Sequence, residues 1–134
     1  MYKTIKFTTD YNGVRDITGD VEDFVKESGL ENGFVIIHDP HTTGSIGIGS
    51  SDDGFGEDFM LEMDKMVPIT NSFHQPDTPF AAAGHIKTAI VGTNLSVIVK
   101  DGELVLGDGK AILFYEFDGP RMRKVFLKAV KGVK

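Results

Sequence analysis

The chain has no cysteine among its 134 residues. That excludes disulfides, thiolate catalysis and cysteine-ligated metals, so any bound metal has to be held by His, Asp or Glu. Positive charge is scarce: 14 Lys and Arg stand against 20 Asp and Glu, a net charge of −6. A general nucleic-acid binder needs a basic face, and this balance argues against one while leaving room for a local basic pocket. Long apolar runs are missing too. None approaches the roughly 20 residues of a membrane span, and the opening MYKTIKFTTD alternates instead of forming the apolar stretch of a secretion signal. Repeats, low-complexity tracts and linkers are not found. The expectation is a cytoplasmic protein with no nucleic-acid or membrane partner. The length suits a single domain over residues 1–134, and shares of 40 % hydrophobic and 25 % charged residues are ordinary for a globular chain.

What is present reads mainly as strands. Lys3 to Thr9 alternates with the period of a half-buried strand. Asn12-Gly13 is a hairpin signal that makes Val14 to Ile17 the return strand. Thr18 is placed to cap a helix whose first turn carries Asp20, Glu22 and Asp23, whose stripe is Val21, Phe24 and Val25, and which Gly29 ends. FVIIH reads as a buried strand after Asn32-Gly33. HDPHTTG follows as a loop, and SIGIG (45–49) as a strand thinned by glycines, a pattern that suggests close approach by a ligand or another backbone.

A second helix over Glu57 to Val67 has Phe59, Met63, Met66 and Val67 on one face and stops at Pro68. Met60, Met63 and Met66 read as core packing. Residues 70–84 read as a long connection, and HIKTAIVG is open between strand and helix. LSVIVK (95–100) and ELVLG (103–107) form a hairpin about Asp101-Gly102; AILFYEF (111–117) and RKVFLKAV (123–130) are two more strands around the corner DGPRMR. The pattern gives an α+β fold: a mostly antiparallel sheet or sandwich with two or three helices packed on it.

Histidines are the candidate chemistry. His41 follows a buried strand, His74 lies in the long connection and His85 follows AAAG. Three imidazoles from three segments can hold a zinc ion and leave a position for water. By spacing alone, solvent-facing or hydrogen-bonded loop histidines are the more favoured reading, because no HExxH-type motif is present. His38 lies three residues before His41 with Pro40 between, and is read as a strand-end residue pairing with Asp39. Thr42, Thr43 and the Gly44 backbone can line an anion site or simply make turn hydrogen bonds. Arg121 is divided evenly between binding a phosphate and an ion pair with Asp118, and for Arg123 the structural ion pair is favoured. The acidic run Ser51 to Asp58 lacks the ligand order of a calcium loop.

HTTG (41–44), the central His74, GHIKTAIVG (84–92), DGELVLG (101–107) and EFDGPRMRKV (116–125), in this order and with DIT (16–18) ahead of them, resemble the YjbQ family, also called the secondary thiamine-phosphate synthase family. The resemblance covers nearly the whole chain. It implies a small α+β fold assembled as a homotrimer and a site built on His41, His74 and His85. It further implies a weak thiamine-phosphate synthase activity, which joins a pyrimidine-methyl diphosphate to a thiazole phosphate and releases diphosphate. On that basis a divalent metal, most plausibly zinc, is expected on the three histidines, with His41 as the base if no metal is bound. Thr42, Thr43, Arg121 and, more weakly, Lys87 are expected to hold a small phosphorylated molecule. The chain departs from the family pattern at Ser50, where a glutamate is usual, at Ala81, where an asparagine is usual, and at Gly109 and Lys110, which replace Trp and Gln. These losses set a non-catalytic binding module for a metal or phosphorylated metabolite beside the enzyme reading.

Overall fold

The structure, a computed structural model, describes residues 1–133. The chain runs β1 (Tyr2–Thr8), β2 (Gly13–Asp16), α1 (Thr18–Ser28), β3 (Gly33–His38), β4 (Gly44–Ser50), α2 (Phe55–Met66), α3 (Pro79–Val91), β5 (Asn94–Lys100), β6 (Glu103–Leu104), β7 (Lys110–Glu116) and β8 (Met122–Lys131). Five strands form one sheet in the order β1-β8-β3-β5-β6, and three form another in the order β2-β7-β4. Every pairing is antiparallel. The α+β architecture read from the sequence is the one observed.

β7 lies between the layers. Its residues alternate between two buried surfaces, which explains why AILFYEF is continuously apolar rather than alternating. Ile112 and Phe114 join the main core with Val21, Phe24 and Val25 of α1 and the inward rows of the large sheet, including Ile5, Val35, Val97, Val125 and Leu127. Ala111, Leu113, Tyr115 and Phe117 face the other way, onto Phe55, Phe59 and Met60 of the α2 segment and Val91 of α3. The glycines of β4 serve this packing. A Cβ at Gly44 would come within 2.6 Å of the Phe114 ring, and one at Gly49 within 2.8 Å of both Leu113 and Phe55. The close approach read from SIGIG is therefore made by side chains of β7 and α2.

Several expected elements are corrected. The Asn12-Gly13 hairpin does not form: β1 pairs with β8 and β2 with β7, so the chain changes sheets at this point. Asn12 Oδ1 instead accepts from the Gly119 N–H at 2.7 Å, tying the crossing to the corner before β8. Thr18 is the first residue of α1 rather than its cap, and its hydroxyl accepts from the Ile112 N–H at 2.8 Å, fastening the helix to β7. The connection 70–84 is shorter than expected, because α3 begins at Pro79. Thr78 Oγ1 caps it by accepting from the Ala81 N–H at 3.2 Å, and proline sits in the first turn where its missing N–H costs nothing. HIKTAIV is the second half of that helix. Met66 is exposed, outside the stripe assigned to it, while Met63 and Val67 are buried. The Asp101-Gly102 hairpin is present, with both residues at positive φ (52° and 81°), but β6 holds only two residues of ELVLG.

Glu116 and Arg123 lie in the inward rows of β7 and β8 and are 1 % and 4 % exposed. Arg123 Nε donates to Glu116 Oε1 at 2.7 Å, and its Nη2 donates to Glu116 Oε2. Nη2 also reaches Thr43 Oγ1 at 3.0 Å and the Thr43 carbonyl at 3.2 Å. Thr9 Oγ1 donates to Glu116 Oε1 at 2.6 Å. Burial alone would raise the Glu116 carboxyl; the bonds from Arg123, Thr9 and the Asp118 N–H outweigh it and hold the group below the usual carboxylate range. The pair joins the two sheets and pins the loop that carries His41. Arg123→Leu leaves a buried carboxylate uncompensated and is expected to destabilise the fold by about 3–5 kcal/mol in urea denaturation. Adding Glu116→Leu to it should recover part of that loss; no recovery would mean that the pair acts through packing alone.

Candidate functional site

β3 ends at His38, and the turn Asp39 to Thr43 leads into β4 across the flank of α3. Between turn and helix lies a groove of about 530 Å³ whose walls include His38, Asp39, His41 and Thr42 on one side and His85 and Thr88 on the other. Gly84 lets the helix come this close: a Cβ there would stand 3.2 Å from Thr43 Cγ2. His85, Thr88 and Ala89 share one helical face by their spacing of three and four.

His41 completes the edge of the large sheet. The register that sets His38 against Phe126 would set Pro40 against Lys124, and proline has no N–H to give. The His41 ring takes that place, with Nε2 3.0 Å from the Lys124 N–H nitrogen and 3.1 Å from its carbonyl oxygen. Burial, and then the nearby Arg123 guanidinium, push the His41 pKa below its usual value, so the ring is neutral at pH 7. Nε2 meets both backbone groups of Lys124, accepting from the N–H in one tautomer and donating to the carbonyl in the other.

His85 is held more openly. Its Nδ1 is 2.6 Å from Gln75 Oε1, and Gln75 Nε2 donates to the Ala82 carbonyl at 3.2 Å. The second bond fixes the amide: reversed, it would set two oxygens against each other. The oxygen therefore faces His85, Nδ1 carries the ring proton, and Nε2 is left with a free lone pair. Such a nitrogen can take a proton or bind a metal.

Asp39 is 1 % exposed. Its Oδ1 accepts from the His41 N–H at 3.1 Å, the Asx turn expected of an aspartate before proline. Its Oδ2 is buried with no partner. Burial is the main reason its pKa is pushed up to about 7, opposed by the His41 N–H and Arg123 and assisted by the Glu116 charge.

The other expected site residues are distributed differently. His74 is exposed in a separate depression with Ser72, Phe73 and Ile86; its neighbour Gln75 is what reaches His85. Among the described residues no three His, Asp or Glu side chains are placed to share a metal ion. Thr42 is on the groove wall and exposed, whereas Thr43 is buried against Arg123. Lys87 is buried and bound to Asp64 Oδ1 at 2.6 Å. Arg121 pairs with Asp118 at 3.0 Å, and Arg123, not bonded to Asp118, pairs with Glu116. His38 does not pair with Asp39. It stacks on Phe126, with ring centroids 6.4 Å apart, and it does line the groove with His41. Sequence reading left out Gln75, Thr88 and the second oxygen of Asp39. Asp39 was legible as a turn residue only, and no pattern in the sequence marks the other two.

The folded Asp39 carboxyl keeps its proton to about pH 7, while in the unfolded chain it loses it near 3.8. Between these values the folded state holds more protons, so this group's contribution to stability falls as pH rises, and its full cost is present above pH 7. Asp39→Asn removes that cost and keeps the oxygen that closes the turn. The variant is expected to gain on the order of 2–4 kcal/mol over the parent chain at pH 8, shrinking towards pH 4, in denaturant titrations. A difference that does not change with pH would show that the carboxyl is not buried as a charge.

The profile described as UPF0047 protein YjbQ-like matches residues 3–132. UPF0047 protein YugU of Bacillus subtilis (strain 168) is 37 % identical over 130 residues, spanning 96 % of this chain and 98 % of the relative. A UPF0047 protein of Archaeoglobus fulgidus is 37 % identical over 115 residues, spanning 86 % of this chain and 89 % of its own length. Among solved structures, an uncharacterized conserved YjbQ/UPF0047-family protein from Clostridium acetobutylicum superposes with a TM-score of 0.90 at 33 % identity, covering 96 % of this chain and 99 % of that one. A YbjQ-like protein of unknown function from Sulfolobus solfataricus P2 superposes with a TM-score of 0.92 at 27 % identity, covering 98 % and 97 %. With the profile matched over almost its whole length and relatives this similar, the chain belongs to the YjbQ-like UPF0047 protein family.

Proposed function

We propose that the groove between the Asp39–Thr43 turn and α3 is the site of a small-molecule enzyme, with His85 Nε2 as its proton acceptor. The observation that carries this is the Ala82–Gln75–His85 chain of hydrogen bonds, which presents one imidazole nitrogen unprotonated to the groove that His41 also lines. The first reaction to assay is the thiamine-phosphate synthase activity that the resemblance implies. Zinc on His41, His74 and His85 remains part of the proposal in one form only: residues 71–78 would have to close so that His74 joins the groove. Assembly as a homotrimer is proposed from the same resemblance, and the exposed Tyr2, Ile98 and Met122 of the large sheet give it apolar surface to use.

Binding without turnover is the second reading, and what favours it bears on the release of diphosphate. Lys87 is held by Asp64 and Arg121 by Asp118, so neither is free to neutralise a leaving diphosphate. A group transfer that expels diphosphate needs that charge.

Turnover and zinc content of untagged protein separate the two. For an enzyme, His85→Ala is expected to lower kcat about 100-fold or more, and Gln75→Ala less, with a shift in the pH profile as the tautomer is released. Full activity in His85→Ala would end the catalytic role. About one zinc per chain, lost in both His41→Ala and His85→Ala, would turn the free nitrogen from a base into a ligand.

A further inference from the structure

Buried polar side-chain atoms are almost always hydrogen-bonded, and each exception calls for an explanation. Among the described residues two such atoms have no partner, Asp39 Oδ2 and Thr88 Oγ1. They come from opposite walls, one on the turn after β3 and one on α3, and both side chains line the same groove. Thr88 is 4 % exposed. A helical threonine usually satisfies its hydroxyl on the carbonyl four residues back, and this one does not. Both atoms therefore stand unpaired in the groove walls, each with a lone pair that can accept a hydrogen bond.

The charge around the groove indicates which donor fits. Its walls carry the Asp39 carboxyl and three histidines, and among the described residues no Lys or Arg lines it. An anion would oppose ionisation of the Asp39 carboxyl with no lining cation to offset it, whereas a bound cation would draw that carboxyl into its charged form. Both atoms are nearly closed off, so the head that reaches them has to be compact. An ammonium group is compact and carries three donors, whereas a guanidinium is a broad, planar fork.

We propose that this groove recognises a small primary amine, whose ammonium donates to Asp39 Oδ2 and to Thr88 Oγ1. The proposal rests on the groove being the functional site and adds the substrate class: an amine end, with the reacting end extending towards His85. It also assigns specificity to Asp39 and Thr88.

The test is saturable chemical-shift change at the Asp39, Thr88 and Ala89 amides of the full chain, with ethanolamine, tetramethylammonium and inorganic phosphate as probes. Ethanolamine is expected to shift these signals, with affinity falling about tenfold or more in Asp39→Asn and several-fold in Thr88→Val, the size of a lost charged and a lost neutral hydrogen bond. Tetramethylammonium, which has the charge but no N–H, and phosphate should leave them unmoved. Asp39→Asn preserves the turn acceptor, and Thr88→Val reports independently if the first variant folds poorly. The proposal is overturned by phosphate shifting the same signals in place of ethanolamine, by equal responses to ethanolamine and tetramethylammonium, or by ethanolamine binding that neither variant weakens. It is also overturned if a bound water satisfies both atoms and no amine displaces it. Turnover that depends on His85 with no ethanolamine response would remove the amine and keep the enzyme. Ethanolamine binding that depends on Asp39, without any turnover, would do the reverse.

Discussion

Everything near the groove depends on one buried ion pair. Glu116 and Arg123 occupy positions where the strand pattern asks for apolar residues, and they meet where the two sheets come together at one end of the core. Removing two charges from water is expensive. Here the geometry offsets that cost, since the guanidinium fork also takes the Thr43 carbonyl and hydroxyl, and the carboxylate also takes the Thr9 hydroxyl and the Asp118 N–H. One cluster thereby fixes the end of β7, the start of β8, the exit of β1 and the turn that carries His41. An apolar pair could fill the volume, but it could not hold the Thr43 backbone at a set height beneath the groove.

Burial is the main cause of both shifts one layer further out, and the same pair adjusts them: Arg123 presses the His41 and Asp39 values down, while Glu116 presses both up. A neutral imidazole and a carboxyl balanced near neutrality then stand side by side, without any charge of their own making. The opposite wall works differently: His85 Nδ1 is held by the Gln75 amide, itself anchored on a helix carbonyl, with the Asp77 carboxylate 3.7 Å away.

Much of the fold was legible in the sequence, and the part that was not has definite causes. The strands were visible because their apolar residues keep a period of two, and β7 because it is apolar on both faces. The Asn12-Gly13 signal misled because a turn dipeptide describes the local bend and not the sheet that receives the next strand. The start of α3 was hidden by two prolines that read as loop, although Thr78-Pro79 is a helix start by its own chemistry. At the site, His41 and His85 line one groove and His74 lies outside it, while Thr43, Lys87 and Arg121 are engaged by protein partners. Ion pairs such as Lys87–Asp64 join residues 23 apart on different helices, and no spacing rule anticipates them. Arg123 and Glu116 did leave a trace: each keeps step with the apolar row of its strand, which is where a buried charge would stand.

The His41 ring gives the groove a mechanical connection to the frame. It stands in for a missing backbone group against Lys124, and Lys124 is the residue next to Arg123 on the same strand. Turning the imidazole towards an occupant of the groove means letting go of that strand edge, and holding the edge means keeping the ring still. The ring therefore cannot serve an occupant of the groove and bond the Lys124 backbone through the same nitrogen at once.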